Sequence, residues 1–405
     1  MRRLLAAAVL VLVLAVAALG ILNYVRPVPV VTPYSLQTAT VTVGQAPTFP
    51  WPAGTEDAIG VTGLGVMAQT SEQTPQPTGS VAKVMTALVA LQKLPLAPGQ
   101  QGPSITISPA DQALQQQDAA SGESTVPVVA GETLTEYQVL QGLLVPSGNN
   151  LAALLAGWAF GSTPAALAAM NAEAQSLGLQ GTHFTDPSGF DPGTVSTPAD
   201  LVKLGTAAMQ NPVIAQVVAQ SEVTLPVAGT MRNVDSVLGR SGIVGIKTGN
   251  TTGQEGAFLY AAQGPSGSGA TIVGAVMGAS SLDGALQAAV ALAAQAQAAL
   301  SVQTIVGAGT VVAGAEAPWK QAVPIATKNA VQVLTWGGRQ ARISIHLQPL
   351  IAPLAEGSKV GTLTATLGDR TNTTPLITSV GLRVPPWSWR LLRRPPYVPA
   401  GDWPR

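Results

Sequence analysis

The sequence predicts an α/β (α+β) domain followed by a small all-β domain, both behind an N-terminal membrane-anchor helix. Three observations carry this reading. Residues 4–22 contain no charge, segments of helical period alternate with short strand-like runs from about 55 to 304, and the period becomes two from 305 to 384 between Gly/Pro turns. A length of 405 residues suffices for two domains at roughly 100–200 residues each. An apolar content of 46% excludes a disordered chain. Lys+Arg 20 balances Asp+Glu 20, so no net field draws the chain to nucleic acid, and no nucleic-acid partner is expected. With no cysteine, a disulfide framework, a thiol nucleophile and a cysteine zinc site are excluded. With only His183 and His346, a two-histidine metal site or a histidine-based triad is hard to build, so neither cofactor nor metal is expected. Any nucleophile must be activated by something other than imidazole.

Taken in order, Arg2 and Arg3 precede the apolar run Leu4–Leu22, and Arg26-Pro27 follows it. At about 1.5 Å per residue this run nearly matches a hydrocarbon core of about 30 Å, and the leading arginines favour that end staying cytoplasmic. Residues 1–26 are therefore a signal anchor or a signal peptide. The anchor is preferred because the run exceeds the ~7–15 apolar residues usual in a cleaved signal, although Ala15, Ala17, Ala18 and Gly20 offer small residues for cleavage. Everything after Arg26 is then expected to lie outside the membrane. Residues 27–54 carry prolines at 27, 29, 33, 47, 50 and 52 and read as an extended tether. Folding is expected to begin near Trp51, with a hairpin from Ala58–Val61 and Leu64–Ala68. Ser80 to Leu94 has too wide an apolar face for a surface helix and is expected to be buried, with Ser80 at its start and Pro95 ending it. Residues 103–135 read as short strand-like runs. Helices are expected at Glu136–Leu144, Asn150–Phe160, Pro164–Leu177 and from Thr197, strands at Ile243–Lys247, Ala257–Ala262 and Thr271–Met277, and an alanine-rich helix from Ser281 to about Leu300. The all-β domain over 305–384 rests on alternating runs such as 342–347 and 361–367. A tail, 385–405, carries Trp387, Trp389, Trp403, Arg390, Arg393, Arg394 and Arg405.

A serine can be activated by an amine if that amine is held neutral, and Ser80-Val81-Ala82-Lys83 places both groups one helical turn apart. Burial lowers a lysine pKa, and a second cation, for which Lys247 is the candidate, lowers it further. A serine at a helix start also sets its N–H and the helix dipole where an oxyanion would develop. The pair alone is weak evidence. Its weight comes from Ser147-Gly148-Asn149 at a break between two apolar helices and Lys247-Thr248-Gly249 ending a strand, in that order. Ser147 offers a hydroxyl to relay a proton, Asn149 an amide for a substrate peptide group, and Lys247 and Thr248 donors for a carboxylate. Gly249 would let substrate lie close along the strand.

Ser-x-x-Lys, Ser-x-Asn and Lys-Thr-Gly together resemble the motif set of β-lactamases and penicillin-binding proteins, with Gly148 in place of an aspartate. The resemblance extends through Gly79–Leu88, Gly142–Asn150, Thr182–Phe184 with Asp186, Pro187 and Gly189, Ser196–Leu201 and Gly245–Thr251. On these residues the stretch from 55 to about 300 resembles the low-molecular-mass penicillin-binding proteins that act as serine D-alanyl-D-alanine carboxypeptidases. The resemblance implies a β-lactamase/transpeptidase-like fold, with 305–384 similar to the family's C-terminal domain. It implies that Ser80 is acylated, Lys83 is its base and Ser147 and Asn149 assist. Lys247 and Thr248 would bind the substrate carboxylate, and the N–H groups of Ser80 and Asn250 would form the oxyanion hole. The implied partners are a peptidoglycan stem peptide ending in D-Ala-D-Ala, β-lactams as covalent inhibitors, and the membrane through residues 4–22. Departures are Thr252–Gly256, where the family has a small Ala-Gly pair, Phe190 for a leucine, and Gly79 for an alanine; neither Phe190 nor Gly79 is expected to touch a reacting group. The absence of a Glu-x-x-Leu-Asn segment argues against a class A β-lactamase. Intact motifs argue against a non-catalytic wall-binding scaffold. His183 is expected to be structural, and His346 to be exposed or packed on a strand.

Overall fold

A five-stranded antiparallel sheet organises the half of the molecule that carries the three motifs. Its order is Ile243–Asn250, Gly256–Gln263, Thr271–Ala279, Glu56–Val61, Gly65–Gln69. The computed structural model describes residues 2–250 and 255–393. It divides into two compact units, one of Gly44–Ser301 with Leu334–Gly338, the other of Met1–Val43, Val302–Val333 and Arg339–Arg405.

In the first unit the sheet is covered on both sides, so its central strands are largely apolar yet still sort by alternation. Phe258, Tyr260 and Ala262 face the helix Leu282–Ala299, while Ala257, Leu259 and Ala261 face the helical layer on the other side. That layer centres on the helix Lys83–Lys93, whose residues Lys83 to Leu91 are all buried. Each buried Val, Leu or Met there stabilises by about 1.5–3 kcal/mol, enough in aggregate to hold one polar side chain inside. Packed around it are Glu136–Leu144, Asn149–Phe160, Thr163–Ser176 and Pro198–Gln210.

Three local expectations change. Ser80 lies inside a 3₁₀ turn, Gly79–Ala82, and makes no capping bond, because its hydroxyl is bonded to the Lys83 amine. Within 103–135 only Ser104–Thr106 and Thr133–Thr135 are strands, paired with each other, and Pro109–Ala120 between them is a helix. A capping box between Ser108 and Asp111 with proline in the first turn starts that helix, which buries none of its residues. A short helix, Pro212–Val218, capped by Asn211, also follows the one that begins at Pro198.

The second unit holds a seven-stranded antiparallel sheet in the order Tyr34–Ser35, Val311–Ala317, Gln321–Thr327, Arg370–Thr378, Lys359–Leu367, Arg339–Leu347, Thr40–Val43. Both edge strands come from the segment expected to be a tether. Thr40-Val-Thr-Val alternates β-branched residues, and the prolines flank the strands rather than interrupt them, so the segment pairs with Arg339–Arg342 instead of hanging free. Val31 also bridges Leu350.

The N-terminal helix, Arg2–Val25, buries none of its residues and is long and apolar enough to cross a membrane. At its C-terminal end the Arg393 guanidinium donates to the carbonyl oxygens of Asn23, Arg26 and Pro27, acceptors that a helix end leaves open. Asn23 Nδ2 donates to the carbonyls of Leu391 and Arg393, and Arg390 lies 4.4 Å over the Tyr24 ring. Trp387 and Trp389 of the expected tail sit in the helix Trp387–Leu392, whereas Arg394, Trp403 and Arg405 lie outside the described residues.

Candidate active site

Ser80 and Lys83 meet because they stand one turn apart where a 3₁₀ turn passes into the central helix. Lys83 Nζ lies 2.7 Å from Ser80 Oγ. The same amine contacts Asn149 Oδ1 at 2.5 Å, the Ser188 carbonyl at 3.1 Å and, at the long limit, Ser147 Oγ at 3.5 Å. Two of the three expected motifs thus converge on one nitrogen. Lys83 is completely buried, and its amine is held well below the usual lysine range, first by loss of hydration and then by the Lys247 charge. Asp186 and Glu123 pull the other way without reversing the effect. The second cation anticipated from the sequence therefore acts as expected.

Ser147 sits at the break between Glu136–Leu144 and Asn149–Phe160 with φ +70°, a conformation rare for serine, and is buried. Asn149 follows as the first residue of its helix, and its Nδ2 donates to Glu123 Oε2 at 2.6 Å.

The third motif ends the strand Ile243–Asn250, which packs against the turn bearing Ser80. Lys247 is 2% exposed; its Nζ lies 3.1 Å from the Thr248 carbonyl and 3.4 Å from the Thr248 hydroxyl. Burial pulls its ammonium down to about 7, opposed by the charge of Asp235. Asp235 is itself buried and pushed up to about 6; one oxygen accepts from the Val237 N–H and the other has no hydrogen-bond partner. A Cβ on Gly249 would run into the Thr78 carbonyl, so the missing side chain lets the strand approach the Ser80 turn. Gly79 has φ +52°, and a Cβ on it would come within 2.8 Å of the Asn250 backbone nitrogen, so the turn bearing Ser80 lies tight against the end of the strand. Thr251 and residues 252–254 of the expected altered connection lie outside the described residues.

A cleft of about 320 Å³ opens beside these groups, lined among others by Ser80, Glu123, Asn149, Phe190 and Asn250. Phe190 forms part of its wall. Lys247 and Thr248 are buried next along the strand from Asn250 rather than on the wall itself. His183 is exposed, pairs through its backbone with Val195 and does not line the cleft, and His346 is exposed on its strand.

Three contributors carry no motif signal: Glu123 on Asn149, the Ser188 carbonyl on Lys83, and Asp235 facing Lys247. Ser188 is fixed by Asp186, whose carboxylate accepts from the Ser188 N–H and hydroxyl and the Phe190 N–H. Asp186 was legible as part of the 182–189 resemblance, but its effect on Lys83 was not.

Residues 59–281 match the family model described as D-alanyl-D-alanine carboxypeptidase. A D-alanyl-D-alanine carboxypeptidase of Mycobacterium tuberculosis is 38% identical over 204 residues, spanning 49% of this chain and 66% of that one. A D-alanyl-D-alanine carboxypeptidase of a Streptomyces strain, K15, is 31% identical over 226 residues, 52% of this chain and 75% of that one. The crystal structure of penicillin binding protein 5 from Haemophilus influenzae covers 83% of this chain and 99% of its own with a TM-score of 0.60. At 20% identity that last likeness concerns the fold alone. The chain belongs to the family of serine-type D-alanyl-D-alanine carboxypeptidases.

Proposed function

We propose that this chain removes the terminal D-alanine from peptidoglycan stem peptides through an ester on Ser80, and that β-lactams acylate the same oxygen. The observation that carries the assignment is the set of partners around Lys83. A neutral amine has two N–H bonds and one lone pair. Asn149 Oδ1 and the Ser188 carbonyl can only accept, so they take the two N–H bonds, and the lone pair is left for the hydroxyl proton of Ser80, 2.7 Å away. The depressed pKa keeps that lone pair available near neutral pH.

Ser80 Oγ attacks the carbonyl of the penultimate D-alanine while its proton passes to Lys83 Nζ. The carbonyl oxygen becomes an oxyanion that accepts from the N–H groups of Ser80 and Asn250. When the intermediate collapses, the peptide C–N bond breaks and the leaving amine takes a proton from Lys83 by way of Ser147, releasing D-alanine. Water then attacks the ester with Lys83 again accepting the proton, and the shortened stem leaves with Ser80 restored. General-base assistance of this kind contributes roughly 10²–10⁴-fold. Lys247 and Thr248 serve the terminal carboxylate of the substrate. An anion arriving beside an ammonium poised near 7 holds it in the charged state, so binding and protonation reinforce each other. Residues 4–22 hold the chain in the cytoplasmic membrane with the catalytic unit outside, supported by the exposed apolar helix and the arginines before it.

Mass spectrometry after incubation with penicillin tests the nucleophile. Wild-type protein gains one acyl group on the peptide containing Ser80, and Ser80→Ala gains none. Unchanged labelling of Ser80→Ala refutes the assignment.

A further inference from the structure

Lys83 is oriented by Asn149, and the orientation of Asn149 needs an explanation of its own. A side-chain amide can present either its oxygen or its NH₂ to a neighbour. With the NH₂ toward Lys83, the amine would face a donor, and its lone pair would be drawn to Asn149 instead of to Ser80. Resting on the reading of Lys83 as base, we propose that Glu123 is a positioning residue: its carboxylate fixes the amide of Asn149 so that Oδ1 faces the Lys83 amine.

An ionised carboxylate only accepts, so Glu123 Oε2, 2.6 Å from Asn149 Nδ2, admits one orientation of that amide. The opposite end then lies 2.5 Å from Lys83 Nζ. Glu123, Asn149, Lys83 and Ser80 form an ordered chain in which each polar contact dictates the next. The backbone around Glu123 is held independently of its side chain. The Asn149 N–H donates to the Ser124 carbonyl, and the Asn150 amide bonds both the N–H and the carbonyl of Val126. Loss of the carboxylate therefore frees the Asn149 amide without releasing the segment. Glu123 is also the only ionisable side chain lining the cleft among the described residues.

The charge gives a readout that packing does not. Lys83 faces Lys247 on the strand Ile243–Asn250, Asp186 on the loop behind Ser188, and Glu123, while Glu123 itself faces Asp118 of the preceding helix. A negative Glu123 favours the protonated amine, so removing it moves the acid limb of acylation to lower pH.

The experiment measures the rate of acylation by a fluorescent penicillin from pH 5 to 9 for the full chain and for Glu123→Gln, Glu123→Ala and Lys83→Met. Glu123→Gln keeps an acceptor for Asn149 and loses the charge; its acid limb moves down by roughly half to one pH unit and its plateau falls by about 3–5-fold. Glu123→Ala loses both, so the limb moves equally and the plateau falls by about 30–100-fold. Plateaus that are equal in the two variants, or a limb that does not move, overturn the inference. So does a loss seen only as a raised KM for peptides bearing a free amine, which would make Glu123 a substrate contact. Lys83→Met that acylates at the wild-type rate sinks the assignment of the base itself. A Lys83-dependent enzyme whose profile ignores Glu123 sinks only the positioning role.

Discussion

Replacing Lys247 by Met sets function against stability in one measurement. The substitution keeps the length of the side chain and removes the charge at a position only 2% exposed. Burial lowers this ammonium from 10.5 to about 7. A cation disfavoured in the folded state destabilises the fold fully below its folded pKa, and the penalty fades as pH rises from about 7 toward 10.5. At about 1.36 kcal/mol per unit the full penalty is about 5 kcal/mol. One loss offsets its removal: the Thr248 carbonyl forfeits a donor, costing about 1 kcal/mol, the attraction of Asp235 being already contained in the value near 7. The net expectation is a protein about 4 kcal/mol more stable near pH 6, with the gain falling to about zero near pH 10. At roughly 2–4 °C per kcal/mol this is a rise in Tm of about 8–16 °C at the lower pH. Acylation by penicillin should fall by about 10²-fold, because the substrate carboxylate loses its buried cation. Differential scanning calorimetry at pH 6, 8 and 10, with labelled-penicillin kinetics alongside, reads both quantities. A Lys247→Met protein that is no more stable at pH 6, or whose gain does not shrink with pH, contradicts the argument.

Lys83→Met removes the proposed base and should slow acylation by roughly 10²–10⁴-fold while far-UV circular dichroism stays native; normal acylation refutes the lone-pair assignment. Asp186→Ala removes the acceptor for Ser188, Phe190 and Thr194, so Tm should drop by the equivalent of about 2–4 kcal/mol and acylation should slow as the Ser188 carbonyl leaves Lys83; unchanged Tm would show that the loop is held by other contacts. Ser147→Ala should slow formation of the acyl-enzyme, the step that expels the amine, more than hydrolysis of the ester, since on the proposed mechanism the hydroxyl serves the leaving amine; an equal effect on both steps would contradict that role.

The candidate site is legible in the sequence where its groups are close along the chain. Ser80 and Lys83 are a helical turn apart, Ser147 and Asn149 flank a turn, and Lys247 to Asn250 share one strand. What could not be read is how distant segments complete them. Glu123 reaches Asn149 only because residues 123–126 are laid along the start of Asn149–Phe160, and no local pattern encodes that contact. Asp235 faces Lys247 through tertiary packing alone. The helix Pro109–Ala120 escaped a periodicity argument because it has no buried face, although Ser108-Pro-Ala-Asp carries the capping signal that would have revealed it. Proline content led to an extended tether over 27–54; the alternation in Thr40–Val43 was the contrary signal and was too short to outweigh it.

The strand pairing of that segment governs reach. A loose stretch over 27–54 could span about 90 Å when drawn out. With Val31 already hydrogen-bonded into the β unit and the Arg26 and Pro27 carbonyls held by Arg393, only residues 28–30 remain, a leash of about 10–11 Å. Under the anchored reading the β unit is moored close to the bilayer and cannot wander through the wall. Inserting a flexible spacer between Pro27 and Val31 is then the direct way to lengthen the distance at which the β unit is held from the bilayer.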